Sequence, residues 1–286
     1  MKFGFVDEHR GRWPVRLTCK VLGLSVSGYY AWRGRPESRR SADNRALLAG
    51  IRQVHAQSGG TYGSPRVHAA LHASGQRVGR ARIERLMRYH GLCGLAAPRR
   101  RLSTTNSRHD YPIAPNRLER NFTAKAPGQV WLADITYVPT NEGWLYLAAI
   151  LDMHTRKIVG WSMRDTLHAQ IALEALAMAI QRQKPAAGLI HHSDRGIQYA
   201  ADVYRSALAR AGLVQSMSRK GNCWDNAPME SFFHTLKNER VHHRLYATRQ
   251  EARRDLFGYI EGFYNSHRLH SAIGYLSPAE MERRAA

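Results

Sequence analysis

The stretch Val130-Trp131-Leu132-Ala133-Asp134-Ile135-Thr136-Tyr137-Val138 constrains this chain more than any other. Read as a strand, it places Val130, Leu132, Asp134, Thr136 and Val138 on one face and Trp131, Ala133, Ile135 and Tyr137 on the other. Both faces are largely apolar, as in a central strand of a sheet covered on both sides. An unpaired carboxylate there costs several kcal/mol or shifts its pKa until it is neutral. A metal ion is the most economical reason for an Asp at that place. Two further carboxylates, Asp194 and Glu230, follow downstream, thirty-six positions apart.

At 286 residues the chain is long for one domain and comfortable for two. Its net charge of +21 points to a polyanionic partner, and the charge is unevenly placed. Residues 1–125 hold 24 Lys/Arg against 7 Asp/Glu, a net +17; residues 126–286 hold 19 against 15, a net +4. The front half therefore reads as an electrostatic grip and the back half as a nearly neutral domain that keeps its acids. The longest apolar run, Trp144–Leu151, is eight residues, far short of a membrane span, and Met1–Trp13 has no signal-peptide core. These features predict a cytoplasmic protein with no membrane partner. Cys19, Cys93 and Cys223 form no Cys-x-x-Cys pair, so reduced thiols are expected rather than structural zinc.

In chain order, two short helices around a turn are expected over residues 14–32, with Pro14 opening the first, Leu17, Val21 and Leu22 on one face, and Ser25 capping the second. This is helix-turn-helix spacing, and we assign residues 1–40 to that segment. The run from Arg33 to Arg45 reads as a basic connector. Residues 41–94 form a second small helical module, where Ser64 caps a helix opening at Pro65 and Arg82 and Arg85 stud another. Residues 95–128 lose periodicity and carry Arg99, Arg100 and Arg101; we expect an extended basic linker. From Gln129 the pattern is three strands, a helix at about 168–182, a buried strand ending at Asp194, a helix at 201–211, a short strand at 213–217, and a helix carrying Glu230 that Asp225 or Asn226 caps. This core is assigned to residues 129–265, with a tail at 266–286.

Asp134 on a middle strand, Asp194 at the end of a neighbouring strand and Glu230 on a helix can meet at one point. Each alone has a simpler reading: Asp194 before Arg195-Gly196 suits a turn, and Glu230 in a first helical turn suits the helix dipole. Together they suit Mg²⁺, which takes hard oxygen ligands and keeps several waters. Asp152 reads as a structural acid near the site, and His191 or His192 as packing or orienting groups.

The blocks Trp131-x-x-Asp134-Ile135-Thr136-Tyr137, His192-Ser193-Asp194-Arg195-Gly196-x-Gln198-Tyr199 and Asp225-Asn226-Ala227-x-x-Glu230-Ser231-Phe232-Phe233 resemble the catalytic blocks of DDE transposases and retroviral-type integrases. Thirty-five residues separate Asp194 from Glu230, the spacing of that group, and Lys237 matches its basic residue seven positions after the Glu. Tyr62-Gly63-x-x-Arg66 and Arg85-Leu86-Met87 resemble the small helical domain before the core. Tyr264-Asn265-x-x-Arg268-x-His270-x-x-Ile273-Gly274-Tyr275-x-x-Pro278 resembles the tail signature, with Ile273 where Leu is commoner. The whole is similar to the second-reading-frame (OrfB-type) protein of the bacterial IS-three family.

The resemblance implies an α/β fold: a ribonuclease-H-like mixed five-stranded sheet with flanking helices (the integrase core), preceded by small all-α helix-turn-helix-like modules. It implies metal binding and catalysis by Asp134, Asp194 and Glu230 with two Mg²⁺ or Mn²⁺ ions, cleavage at insertion-sequence ends, and strand transfer into target DNA. DNA contacts are expected at Lys237, Arg66, Arg82, Arg85, Arg99, Arg100 and Arg101. Expected partners are double-stranded DNA, further copies of the chain on that DNA, and an upstream-frame helix-turn-helix/leucine-zipper protein, fused by frameshift or bound. The expected location is the bacterial nucleoid. A ribonuclease-H-like nuclease and a non-catalytic DNA-binding regulator are the alternatives.

Overall fold

A computed structural model describes residues 2–95, 111–219 and 223–285. Helices α1 (Lys2–Glu8), α2 (Val15–Val21) and α3 (Val26–Arg33) form a first small cluster around Val6, Cys19 and Tyr29. Ser25 caps α3 as expected, accepting from the Gly28 amide at 3.1 Å. The buried stripe of α2 is not the expected one: Val15, Cys19 and Leu22 face inward, whereas Leu17 and Val21 are exposed. Cys19 lies four residues from Val15 and three from Leu22, so these share a helical face and Leu17 and Val21 take the other. Helix α4 (Arg39–Gln57) opens inside the expected basic connector, capped by Ser38, which accepts from the Ser41 amide. It packs with α5 (Ser64–Ala73) and α6 (Arg80–Tyr89) around Leu47, Ile51, Tyr62, Val67, Leu71, Ile83 and Met87.

The core sheet has the strand order β3-β2-β1-β4-β5. Strands β1 (Val130–Thr140), β2 (Gly143–Asp152) and β3 (Ile158–Arg164) are antiparallel neighbours, and β4 (Ile190–Ser193) and β5 (Val214–Met217) run parallel beyond β1. This is the mixed five-stranded, ribonuclease-H-like arrangement expected from the sequence. Helix α7 (Ala169–Gln183), short α8 (Ile197–Ala200) and α9 (Asp202–Arg210) cover the face that bears Trp131 and Ala133. On the other face, Leu132 and Val138 pack beneath α10 (Ala227–Glu239) and α11 (Arg249–Phe257), meeting Met229, Phe232, Phe233, Leu236 and Leu256. The two-sided burial of β1 is thus real, and it puts Asp134 on the α10 side. Gly160 lets α7 approach β3: a Cβ there would overlap the carbonyl oxygen of Ala175.

The helix expected over 248–264 is two pieces, α11 and a π-helical stretch, Gly258–Tyr264. The chain then turns through 265–277 into α12 (Pro278–Ala285). Of the expected basic linker, the described part lies on the core rather than free of it. Leu118 is buried in the α10-side cluster, and the Arg117 amide donates to the Ser216 hydroxyl at 2.9 Å. Arg99, Arg100 and Arg101 lie outside the described residues.

Candidate active site

Parallel pairing of β1 with β4 sets Ala133 opposite Ser193, so the residues that follow, Asp134 and Asp194, emerge side by side. Neighbouring strands lie about 4.8 Å apart, which fixes the scale of that juxtaposition. Asp134 accepts from the Ile135 amide at 2.8 Å, and Asp194 accepts from the Gly196 amide at 2.9 Å. Glu230 lies in the first turn of α10 on the same side of the sheet. Burial raises the Asp134 carboxyl well above the ordinary carboxylate range; the Asp194 and Glu230 charges raise it further, and Lys237 opposes them. Burial also raises Glu230. The three acids therefore share one field at Asp134, and within it the Asp134 carboxyl is disfavoured as a charge. Among the described residues, no three His, Cys, Asp or Glu side chains converge tightly enough to hold a metal ion.

Two residues that sequence reasoning cast as helix caps do something else. Asn226 stands at the N-cap position of α10 without capping it; its amide donates instead to the Ala133 carbonyl at 3.1 Å, beside Asp134. Asp225 is buried and accepts from the Arg219 guanidinium at 2.9 and 3.0 Å, the Arg219 amide at 2.9 Å, Arg120 at 3.2 Å and Asn116 at 3.0 Å. The hydrogen bond from Arg219 holds its carboxyl well below the usual range. The pair locks the start of α10 to β1, to the segment after β5 and to residues 116–120. Its signal was the Asp225-Asn226 dipeptide itself, whose short polar side chains also suit a cap.

Lys237 lies two turns beyond Glu230 on α10; burial lowers its ammonium and the Asp134 charge raises it. Tyr199 is buried, and the Asp134 and Asp194 charges add to the burial that raises its hydroxyl. His191 and His192 are fully buried core groups. Burial lowers His191 to about 3, and its Nε2 lies 3.0 Å from the Tyr204 hydroxyl. His192, lowered to about 4 by burial, contacts the hydroxyls of Ser216 and Ser218 at 2.8 and 3.1 Å. Asp152 is buried in a turn, accepting from the Gly128, His154 and Thr155 amides at 2.8, 3.1 and 2.9 Å. It pairs with Trp131, three register positions from Asp134, and is structural.

The arginines expected on DNA are placed differently from one another. Arg85 is exposed on α6. Arg82 is half-buried and donates to the Asn44 side chain on α4 at 2.9 Å. Arg66 turns inward, donating to the Leu269 carbonyl at 3.0 Å.

Residues 124–223 and 230–285 each match a family model described as an integrase core domain, and residues 42–101 match an HTH-like domain. The transposase InsF for insertion sequence IS3A of Escherichia coli (strain K12) is 39% identical over 292 residues, covering 99% of this chain and 99% of that protein. The chain belongs to the IS3 family of insertion-sequence transposases. The transposase is also similar to the insertion element IS600 uncharacterized 31 kDa protein of Shigella sonnei, 47% identical over 93% of this chain and 97% of that one. Among solved structures, a chain of the simian T-cell lymphotropic virus intasome matches 81% of the transposase and 74% of its own length, with 14% identity and a TM-score of 0.48. Among the described residues, no helix of the transposase is long and apolar enough to cross a membrane.

Proposed function

We propose that this transposase cuts the ends of its insertion sequence and joins the resulting 3′-hydroxyl to target DNA, with Asp134, Asp194 and Glu230 as the catalytic acids. The observation that carries this reading is the shared field at Asp134: a half-buried carboxyl on a central strand whose charge two neighbouring carboxylates oppose. Such a site is costly for a protein that only binds DNA and suits one that holds a cation. The donor set fits Mg²⁺ or Mn²⁺ in kind, since all three side chains offer hard oxygens. Bound there, two such ions would supply Lewis-acid activation of the attacking oxygen and neutralise charge at the leaving oxygen.

The chain's own residues do the rest. The β1–β4 pairing, which runs to Ala133 and Ser193, sets the residues that follow, Asp134 and Asp194, side by side, and the Asn226 amide ties the start of the helix carrying Glu230 to β1. Lys237 places a cation where a DNA phosphate would otherwise meet three acids. Arg85, with the basic residues 99–101, supplies sequence-independent grip on the duplex. The non-catalytic regulator is disfavoured because it gives no reason to keep three coupled acids. We further propose that the protein works on nucleoid DNA as an oligomer, fused to or bound by an upstream-frame helix-turn-helix/leucine-zipper partner.

The test is the chemistry of the products. With element-end duplex and Mg²⁺ or Mn²⁺, cut strands should end in free 3′-hydroxyls that appear in joined products. Denaturing gels should show no protein-linked DNA. A protein–DNA covalent adduct would overturn the reading.

A further inference from the structure

The helical module and the catalytic core meet at a buried polar junction. Glu239, at the last turn of α10, accepts from the Arg268 guanidinium at 2.7, 2.9 and 3.1 Å and from the Tyr259 hydroxyl at 2.7 Å. Both charged side chains are almost fully buried, at 7% and 4% exposure. From the helical module, Arg66 brings a second guanidinium to within 3.9 Å of the same carboxylate. Its Nε donates to the Leu269 carbonyl at 3.0 Å. Tyr62 completes the junction: its hydroxyl accepts from the Leu269 amide at 2.8 Å and donates to the His267 carbonyl at 3.3 Å. The irregular segment 267–269 thus has half-buried backbone groups, outside any helix or strand, that Tyr62 and Arg66 satisfy. Phe263 packs against both the module's apolar cluster and that of the core.

We propose that Tyr62 and Arg66 are positioning residues that latch the helical module to segment 267–269 and, through Arg268 and Glu239, fix the far end of the helix that carries Glu230. Glu239 lies nine positions after Glu230 on α10, about 13 Å along the helix. Asn226 holds one end of that helix to β1 and the Glu239 junction holds the other. A helix held at both ends keeps Glu230 within the field at Asp134; released at Glu239, it can pivot about its start. Arg66 is then spent inside the protein, not on phosphate. The catalytic part of this inference rests on Glu230 acting as proposed above.

The test compares the full-length wild type with Arg66→Lys, Arg66→Ala and Tyr62→Phe on element-end duplex. The first readout is affinity across a salt series, the second is the single-turnover cleavage rate at saturating protein, and the third is exchange of the Leu269 amide. The latch predicts an unchanged salt slope, at least tenfold faster Leu269 exchange in Tyr62→Phe, and at least tenfold slower saturated cleavage in all three variants. Lysine keeps the charge but not the planar fork, so Arg66→Lys should cut no better than Arg66→Ala. A salt slope reduced by about 0.9 in Arg66→Ala, with rescue by Arg66→Lys, would make Arg66 a phosphate contact and overturn the latch. Unchanged Leu269 exchange in Tyr62→Phe would overturn it as well. If Arg66→Ala fails to fold, the other two variants still decide. Wild type that cannot cut would sink the proposed chemistry alone, because the slope and the exchange judge the latch without cleavage.

Discussion

The Asn226 side-chain amide donates to the Ala133 carbonyl at 3.1 Å, one residue before Asp134. The helix of Glu230 and the strand of Asp134 are therefore joined by a buried hydrogen bond at the candidate site itself. A buried acceptor stripped of its donor costs about 1–3 kcal/mol. Asn226→Ala should lower stability by an amount in that range, read by urea unfolding. It should also slow cleavage at saturating DNA by at least tenfold while leaving affinity near wild type. Equal cleavage in the destabilised variant would reduce the bond to a purely structural one.

Acid should remove the support that the ionised Asp225 gives the site. Its carboxyl is held well below the ordinary range, chiefly by the Arg219 hydrogen bond, with Arg120 adding to it. A carboxyl depressed on folding contributes stability that is present above its unfolded value, about 3.9, and lost as pH falls towards the folded value. Glu174, lowered to about 2 chiefly by its hydrogen bond from Arg164, acts with the same sign, but its partial exposure weakens it. Melting temperature should therefore fall steeply between about pH 4 and pH 2. Asp225→Asn should melt lower at pH 7 and show a shallower fall over that window. A parallel fall in the variant would assign the acid limb elsewhere.

Asp134 has the opposite sign. Its carboxyl is raised by burial first and then by Asp194 and Glu230, so its favourable contribution is complete below its unfolded pKa and is lost as pH rises through the folded one. At neutral pH without divalent metal it is a liability. Asp134→Asn should raise the melting temperature in EDTA and abolish the further rise that Mn²⁺ gives the wild type. Saturation at a hundredfold Kd corresponds to about 2.7 kcal/mol of stabilisation. A lower melting temperature in EDTA with an intact Mn²⁺ response would contradict this assignment.

Much of this was legible in the chain. The two apolar faces of β1 follow from period-2 alternation, and Asp134 is the residue out of place in it. The order of strands and helices rests on the family resemblance as much as on periodicity, and Asp194 and Glu230 stand out as a set with Asp134 only through that resemblance. The helical junction was not legible. Tyr62, Arg66 and Arg268 stood in recognisable motifs, but an arginine in a segment of net charge +17 reads as a DNA contact until its carbonyl and carboxylate partners are seen. Those partners lie 203 positions away at Leu269 and 173 at Glu239, and no local pattern encodes them. Asp225 and Asn226 were misread as caps for a related reason. Their side chains suit a cap locally, and only the tertiary fold brings Arg219, Arg120 and the Ala133 carbonyl close enough to compete. The apolar stripe of α2 was mistaken because seven residues are too few to tell neighbouring helical faces apart.

Lys237 separates two uses of a half-buried ammonium. It faces Asp134, whose charge raises it against the lowering effect of burial. If it also receives DNA, Lys237→Ala should weaken binding of cut ends by about tenfold and reduce the salt slope by about 0.9. Circular dichroism and melting should show an intact fold. An unchanged slope with slower cleavage would confine Lys237 to the acids.

The most direct measurement is strand cleavage by Asp194→Asn. The substitution keeps the side chain's shape and its acceptor for the Gly196 amide, and removes one charge from the field at Asp134. Wild type and variant should be titrated with the same element-end duplex at one salt concentration and then given Mg²⁺ or Mn²⁺. The expected result is matched affinity with cleavage reduced by at least a thousandfold in the variant. Matched affinity with cleavage within tenfold of wild type would place the chemistry at other residues.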